Sequence, residues 1–306
     1  MNWRALNHRP PALPTSITPT SRRSILRELE ILLHALCLYG ATGIAAFGWA
    51  VCRLLDWSVK PWVPLWFCSA LLIYNADRLR SDPADALNIP ERAAASRRWR
   101  GLSRAVLVCA AAFLVIWPAV SRDWLTLGLI IAGAIVSLNY SIPLLGFRWK
   151  DVPLLKTFFA PTIVTASILG LPWFHLGPAV ELGTLFLIAL RAWTFLMFNM
   201  ILCDLRDRAG DQACGTRSLP VALGENGTRW LLLALLVVIE VLAISAYATA
   251  PLRHRSTWLI MCFLGPIYLG VLLFAVRRPQ PERFYEWAVE GMLFLPAIAV
   301  LLGTLL

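Results

Sequence analysis

The sequence predicts an all-α membrane protein, a polytopic bundle of nine transmembrane helices. Of its 306 residues 58% are hydrophobic and only 15% are charged, whereas a soluble domain of this length carries many more charges. Apolar runs recur along the chain, each close to the roughly 20 residues that a helix needs to cross a bilayer. The net charge of +10 does not indicate nucleic-acid binding, because the basic residues are divided among the segments between these runs.

Hydropathy predicts the elements in order. Residues 1–25 are rich in Pro, Ser, Thr and Arg and lack a hydrophobic core, which is typical of a disordered tail rather than a cleaved signal peptide. Residues 26–306 form one membrane domain that contains all nine predicted spans. The spans lie at about 30–55, 61–77, 103–121, 124–140, 153–173, 179–203, 229–250, 257–276 and 285–306.

The basic residues predict the orientation of the spans. Most of the 28 Lys and Arg residues lie in the tail and in alternate loops, which is the pattern of cytoplasmic segments. We therefore expect a protein of the bacterial inner membrane with a cytoplasmic N-terminus and the C-terminus on the opposite side. The acidic segments described next then face the cytoplasm.

The cysteines and histidines predict no metal centre of their own. The seven cysteines are scattered, without a Cys-x-x-Cys pair, and the four histidines are equally dispersed. Neither a zinc site nor a disulfide framework is therefore expected.

The strongest candidate for a functional site is at the end of the sixth predicted span. Asp204, Asp207 and Asp211 are spaced i, i+3 and i+7, so two helical turns bring them to one face. Crowded carboxylates repel one another unless a cation lies among them, and aspartate oxygens are ligands that Mg²⁺ prefers. The nearby arginines favour a polyanionic ligand over a bare metal. They are Arg206, Arg208 and Arg217. A solvated helix end with mixed charges is the alternative for any single aspartate.

A second acidic segment follows the second predicted span and has a similar layout. It contains Asp77, Asp82 and Asp85, with Arg78 beside the first of them, and it leads into a loop with a proline. Two acidic clusters on the same side of the membrane, from helices four apart in sequence, can face each other across a bundle. The alternative is a chance resemblance between the starts of two loops.

Facing acidic clusters suit a particular kind of substrate. They would hold Mg²⁺ and a diphosphate between them, and the metal would stabilise the negative charge that develops on a leaving pyrophosphate. The remainder of the substrate must be apolar, because the site opens among membrane helices. An isoprenyl diphosphate meets both requirements. Aromatic side chains could steady the allylic cation that it forms, although aromatics in membrane helices more often serve packing or the interface.

A third segment begins where the fourth predicted span ends. Arg148, Lys150 and Lys156 could bind phosphate oxygens, and Tyr140 could donate a hydrogen bond to them. Taken alone, this segment is better explained as a positively charged cytoplasmic loop whose long side chains snorkel to the interface.

Together these motifs resemble the UbiA-type superfamily of intramembrane prenyltransferases, over nearly the whole chain after residue 25. The second Asp motif of that family, D-x-x-D-x-x-x-D, is present as Asp204, Asp207 and Asp211. Further matches are Gly215, Leu219-Pro220-Val221, Leu223-Gly224, Tyr140-Ser141-Ile142-Pro143 with Lys150, and the Asn88, Pro90 and Arg92 of an Asn-x-Pro-x-Arg element.

The resemblance implies a nine-helix bundle around a central cavity, with a Mg²⁺-diphosphate site under a cytoplasmic cap. It implies transfer of a prenyl group from an isoprenyl diphosphate to an aromatic or otherwise lipophilic acceptor within the bilayer. The residues that it assigns to the diphosphate are Arg78, Arg92, Tyr140 and Lys150. The sequence does not indicate the acceptor, the prenyl chain length, a protein partner or the oligomeric state.

The first Asp motif departs from the family pattern. Aligned through Asp77 and Arg78, the chain has Ile73 and Tyr74 where the family has Asn and Asp, and Ser81 replaces the last Asp. A shift of one residue turns a helical side chain by about 100°. We therefore expect a weaker second metal site, formed by Asp77 with Asp82 or Asp85. Asn75 is a candidate neutral oxygen ligand.

Arg191 lies within a predicted span, where a charge is costly and often functional. It could contact the polar group of an acceptor or pair with a buried acid such as Glu240. Two other classes of protein compete with the enzyme. One is a non-catalytic membrane protein that binds a prenyl diphosphate or quinone, and the other is a transporter, which one-sided acidic clusters disfavour.

Overall fold

The structure, a computed structural model, describes residues 22–80, 83–144, 146–176 and 180–306. The regular elements in these ranges are all helical. They are α1 Arg22–Ala35, α2 Leu38–Leu54, α3 Trp62–Leu79, α4 Pro83–Asn88, α5 Pro90–Arg98, α6 Arg100–Val120, α7 Trp124–Leu138, α8 Leu155–Leu176, α9 Leu182–Ala213, α10 Leu219–Thr249, α11 Leu252–Ala275 and α12 Glu282–Gly303. A 3₁₀ turn at Trp149–Asp151 precedes α8, and α12 contains a π-helical turn at Tyr285–Val289.

The helices confirm the all-α membrane class. Within the described ranges, α6, α8, α9, α10, α11 and α12 are each long and apolar enough to cross a membrane, and the bent pair α1–α2 is a seventh span if counted as one. The helices α3 and α7 lie where further spans are predicted. However, α7 has only 15 residues and α3 ends in a polar turn. The protein is an integral membrane protein, and the count of nine spans stays a prediction.

The first predicted span, residues 30–55, is wrong as a single straight helix. The chain bends by 59° between α1 and α2, and Cys37 adopts a left-handed conformation at the break. Side chains of α3 satisfy the carbonyls that the break exposes: Asn75 Nδ2 donates to Leu36 O at 3.1 Å, and the Arg78 guanidinium donates to His34 O. The break is therefore specified by residues about 40 positions away, which hydropathy does not report.

The predicted tail is only partly within the described ranges. Residues 1–21 lie outside them, and α1 begins at Arg22, so the last residues of the segment that we expect to be disordered are helical. Ile25, Leu26 and Leu29 repeat at helical spacing there and leave an exposed apolar face. The composition of the tail as a whole conceals this short pattern.

Close packing fixes α3 between α2 and α8. A Cβ atom on Gly48 would lie 2.3 Å from the ring of Trp66, so only glycine allows α2 to approach so near. The indole of Trp66 donates to Ser167 O of α8 at 3.3 Å. These contacts set the position of the helix that carries the first acidic segment.

The helix α9 carries the second acidic segment. It has 32 residues and packs against α4, α8 and α10, with a fully buried middle that includes Phe198, Ile201 and Leu202. The helix continues without interruption to Ala213, so its three acids stand on a rigid, regular element rather than in a loop.

Candidate active site

A cavity of about 690 Å³ is enclosed by α2 to α9 and α12. Its lining changes along α8, from Lys156 in the first turn to Phe174 near the end. The charged lining residues are Asp77, Arg78, Asp85, Arg92, Arg97, Arg100, Arg148, Lys150, Asp151, Lys156, Arg206, Asp207, Asp211 and Glu290. The apolar lining includes Ile44, Trp66, Leu114, Ile130, Ile168, Leu171 and Phe174. One cavity thus joins a charged end to an apolar end.

The two acidic segments meet at this cavity. Asp77 of α3 and Asp85 of α4 line it together with Asp207 and Asp211 of α9. Asp82 lies outside the described residues. The two segments that resemble each other in sequence thus line one cavity.

Asp77 is held by the loop between α7 and α8. The hydroxyl of Ser141 donates to Asp77 Oδ1, and Lys150 Nζ lies 3.8 Å from the same oxygen. The Arg80 guanidinium donates to the carbonyl of Ser141. Tyr140 and Lys150, which the sequence places in a separate loop, are thereby fixed next to the first acidic segment.

The three acids of α9 do not point in the same direction. At about 100° per residue, Asp211 lies about 20° around the helix from Asp204, whereas Asp207 lies about 60° away. Asp204 and Asp211 accordingly share one partner, Lys156, whose Nζ is 2.6 Å from an oxygen of Asp211 and 3.3 Å from Asp204 Oδ1. Asp207 instead accepts two hydrogen bonds from Arg206, at 2.7 and 3.0 Å.

Guanidinium groups create a positive region at the charged end. Burial lowers the pKa of Arg92, and the nearby charges of Arg78 and Arg206 lower it further. Its one close acidic partner among the described ion pairs is Glu290, at 3.4 Å. A region whose cations repel one another in this way favours a polyanionic ligand.

The phenol of Tyr140 is a hydrogen-bond donor at this end. Burial raises its pKa well above the ordinary value, and the negative charges of Asp204 and Asp77 add to the effect. The ring stacks on Phe159 with 5.1 Å between centroids. A phenol that stays protonated and is fixed in orientation can donate to a phosphate oxygen.

Asn88 of the Asn-x-Pro-x-Arg element joins α4 to α9. Its Oδ1 accepts a hydrogen bond from the backbone of Gly210 at 2.8 Å. A Cβ atom on Gly210 would lie 2.5 Å from the Asn88 amide, so this approach requires glycine. Gly210 lies inside the second Asp motif. The sequence alone does not indicate its importance, which comes from this close contact with Asn88.

Some predicted site residues lie away from the cavity. The amide group of Asn75 donates a hydrogen bond to Leu36 O at the α1–α2 break, and Asn75 does not line the cavity. Asp204 is fully buried beside Lys156, with Thr157 donating to its Oδ2 at 2.5 Å. Arg191 is buried among α9 to α12, with its guanidinium carbon 5.2 Å from the Trp258 ring centroid. The sequence did not indicate the contacts of Ser141 with Asp77 or of Glu290 with Arg92, because each pair joins residues that are far apart in the chain.

Among the acids that line the cavity, Asp77 and Asp207 are the candidates for Mg²⁺. Among the described residues, no three or more His, Cys, Asp or Glu side chains are grouped to hold a metal. Mg²⁺ needs fewer protein ligands, because one or two carboxylates combine with phosphate oxygens and water. Asp77 and Asp207 line the cavity and suit that role, whereas Asp204 and Asp211 already hold an ammonium group.

Two proteins with names from isoprenoid chemistry are similar to this chain. A lycopene elongase/hydratase from Haloferax volcanii is 27% identical over 235 residues, which are 73% of this chain and 70% of the relative. A diterpene cyclase from Hericium erinaceus is 31% identical over 77 residues, 25% of this chain and 24% of the relative.

Solved structures have the same fold. A UbiA homologue from Archaeoglobus fulgidus bound to GPP and Mg²⁺ is 15% identical, with a TM-score of 0.59 over 90% of this chain and 99% of that one. The apo structure of a homologue from Aeropyrum pernix K1 is 14% identical, with a TM-score of 0.55 over 87% and 96%. The model of the UbiA prenyltransferase family matches residues 76–295, and the chain therefore belongs to that family.

Proposed function

We propose that this protein transfers a prenyl group from an isoprenyl diphosphate to a lipophilic acceptor, with Mg²⁺ as cofactor. The observation that carries the proposal is the single cavity that joins acids and guanidinium groups at one end to an apolar lining at the other. A diphosphate with a hydrocarbon tail matches both ends, and a homologue in the family binds GPP with Mg²⁺.

The diphosphate belongs at the charged end. Arg78, Arg92 and Lys150 supply positive charge, and Tyr140 supplies a neutral donor. Asp77 and Asp207 are the carboxylates that we assign to Mg²⁺. When bound, the ion neutralises charge on the diphosphate and so favours its departure.

The reaction breaks the C1–O bond of the prenyl diphosphate, and the electron pair leaves with pyrophosphate. A π-electron pair of the acceptor then forms the new carbon–carbon bond, and the acceptor loses a proton to the released pyrophosphate. The apolar walls exclude water from the allylic cation until the acceptor reacts. Trp66 and Phe159 are aromatic lining residues beside its path.

The apolar end of the cavity bears on which acceptors fit. The apolar end, with Leu171 and Phe174, suits an acceptor that carries little charge. Similarity to a lycopene elongase/hydratase favours a polyene, whereas other acceptors with an aromatic ring fit the same lining.

The membrane arrangement is part of the proposal. We place the charged end at the cytoplasmic face of a bacterial inner membrane, under a cap formed by α4, α5 and the loop before α8. The short helices α3 and α7 then complete nine spans. The tail and the alternate basic loops support this orientation.

Asp207→Asn tests the function. Membranes containing the protein are incubated with labelled geranylgeranyl diphosphate, Mg²⁺ and candidate acceptors, and prenylated products and pyrophosphate are measured by mass spectrometry and a phosphate assay. We expect the variant to abolish both. Asp56→Asn, the same change at an exposed aspartate between α2 and α3, serves as the control and retains turnover. Wild-type turnover by the Asp207 variant would contradict the metal role.

One observation favours a second function, binding without turnover. Lys156 forms ion pairs with two acids of the second motif, and the first motif departs from the family pattern at three positions. Mg²⁺-dependent binding of a non-hydrolysable prenyl diphosphate, with no product from any acceptor, would support this alternative.

A further inference from the structure

Lys156 lies between two of the three acids of α9. It is in the first turn of α8, and its Nζ is 2.7 and 2.6 Å from the two oxygens of Asp211. The same atom is 3.3 Å from Asp204 Oδ1. A single ammonium group thus bridges both carboxylates, at the point where a metal shared by them would lie.

The bridge is buried and bonded within the chain. The side chains of Asp204 and Asp211 are 0% and 4% exposed, and that of Lys156 is 13% exposed. A buried carboxylate is destabilising without an opposite charge and hydrogen bonds. Thr157 adds one bond to Asp204, and its hydroxyl in turn accepts from the Leu219 backbone at 3.3 Å. The chain itself supplies the counter-charge that these acids need.

A backbone hydrogen bond holds Lys156 next to Asp204 and Asp211. The backbone of Leu154 donates to Arg217 O at 2.8 Å, which ties the start of α8 to the segment after α9. Lys156 follows two residues later, so its side chain starts next to the acids. Both acidic partners of Lys156 come from one rigid element, α9.

A metal and the ammonium group exclude each other at this point. Mg²⁺ binds carboxylate oxygens at about 2.0–2.1 Å, and a second cation so close to Nζ would be strongly repelled. We propose that Lys156 takes the place of a metal ion in the second Asp motif. Asp204 and Asp211 then hold a permanent cation, and Mg²⁺ would be held only by Asp77, Asp207 and the diphosphate.

With Lys156 in place of a metal ion, the second Asp motif needs one metal ion fewer than it would without the lysine. Lys156 lines the cavity, so its ammonium group would neutralise Asp204 and Asp211 beside the space that we assign to the diphosphate. This consequence for the substrate rests on the proposed function. The exclusion of a metal by the lysine is a property of the chain without substrate, and it can be tested in an inactive preparation.

Lys156→Gln tests the exclusion. The detergent-solubilised variant and wild type are unfolded thermally in EDTA and in millimolar MgCl₂, with NaCl matching the ionic strength. We expect the variant to unfold several degrees lower in EDTA and to regain most of this loss in MgCl₂, because the metal now occupies the vacated position. Wild type and Lys60→Gln, which changes an exposed lysine between α2 and α3, show no such Mg²⁺-specific gain. A Mg²⁺ effect that is equal in all three proteins, or absent from the variant, would overturn the proposal.

A second measurement covers the case in which the variant does not fold. Bound Mn²⁺ is counted by electron paramagnetic resonance on folded wild type and on Asp211→Asn. We expect equal counts, because Asp211 is not a metal ligand while Lys156 is present. Loss of one ion in the Asp211 variant would show that the acid does bind metal and would reject the inference. Lys156→Arg, which keeps the charge, should behave as wild type in the unfolding assay.

Discussion

Asp123, in the turn between α6 and α7, has several donors around one carboxylate. It accepts from the Thr126 backbone at 3.0 Å and from the Thr126 hydroxyl at 2.7 Å, and His175 Nε2 lies 3.0 Å away. Burial acts to raise the pKa of this carboxyl, but the hydrogen bonds outweigh burial and lower the pKa below its ordinary value of 3.8. A lowered pKa in the folded state adds stability above the unfolded value, and that stability is lost as the pH falls through the folded value.

Replacing Asp123 by Ala should therefore lower stability in a pH-dependent way. We expect a loss of about 1 kcal/mol at pH 7, as for other helix N-caps, that shrinks below about pH 4. Thermal unfolding of the solubilised protein between pH 7 and pH 3 measures it. Asp123→Asn, which keeps an acceptor but does not titrate, should show a smaller loss at pH 7, and this loss should also shrink below about pH 4 because the wild-type carboxylate is the group that titrates. A deficit in Asp123→Ala that stays constant down to pH 3 would contradict the assignment.

The acids of α9 show what residue spacing can and cannot predict. The i, i+3, i+7 pattern identifies Asp204, Asp207 and Asp211 as a group on a helix, and the structure places them on one. Spacing does not report that two of them turn toward a lysine 48 or more positions earlier in the chain. Lys156 by itself has the same appearance as any basic residue of a cytoplasmic loop.

At the scale of elements, α5 depends on a residue of α12. The carboxylate of Glu282 accepts hydrogen bonds from the backbone of Glu91 at 3.2 Å and of Arg92 at 2.9 Å. These donors belong to the first turn of α5, which has no side-chain cap of its own. A distant acid thus positions the helix that carries Arg92 into the cavity.

Glu282→Ala should weaken substrate binding more than the chemical step. Loss of an N-cap costs about 1 kcal/mol, which corresponds to roughly a fivefold rise in KM for the prenyl diphosphate with kcat retained. Steady-state kinetics across substrate concentrations measure the two constants. Glu282→Gln keeps one acceptor oxygen, so its KM for the prenyl diphosphate should rise less than that of Glu282→Ala. A fall in kcat at constant KM would reject this positioning role.

Hydropathy predicts the position of a helix well where its side chains face lipid. It predicts helix ends poorly where contacts with other helices determine them. Hydropathy locates α10 and α11 because their apolar residues face outward along most of their length. It fails at the α1–α2 bend, because Asn75 and Arg78 of another helix satisfy the exposed carbonyls. It also ends α9 too early, since the acids that follow Cys203 are stabilised by partners on α8 and not by the bilayer.

At the scale of the whole molecule, the depth of the apolar end limits the substrate. Gly170 of α8 lines the cavity, and a Cβ atom there would meet no atom within 4 Å. A larger side chain at this position can therefore enter the space that we assign to the prenyl tail. We expect such positions, rather than the charged end, to set the hydrocarbon length that fits.

Gly170→Phe should shift the preference toward shorter prenyl chains. We expect kcat/KM for a twenty-carbon diphosphate to fall about tenfold relative to a ten-carbon one, because overfilling a packed cavity costs about 1–3 kcal/mol. Competition between the two substrates, followed by mass spectrometry, gives the ratio. Gly270→Phe makes the same change in α11, where a Cβ atom also meets nothing within 4 Å, and should leave the ratio unaltered. Equal ratios in both variants would place the prenyl tail elsewhere.

The bend between α1 and α2 has a consequence for the working protein. The guanidinium group of Arg78 that closes the bend at His34 is also one that we assign to the diphosphate. Only one nitrogen of Arg78 donates to His34 O, so the other N–H groups remain for an anion. A diphosphate bound there would be linked through one side chain to the bend, and we expect its binding to be felt at α1.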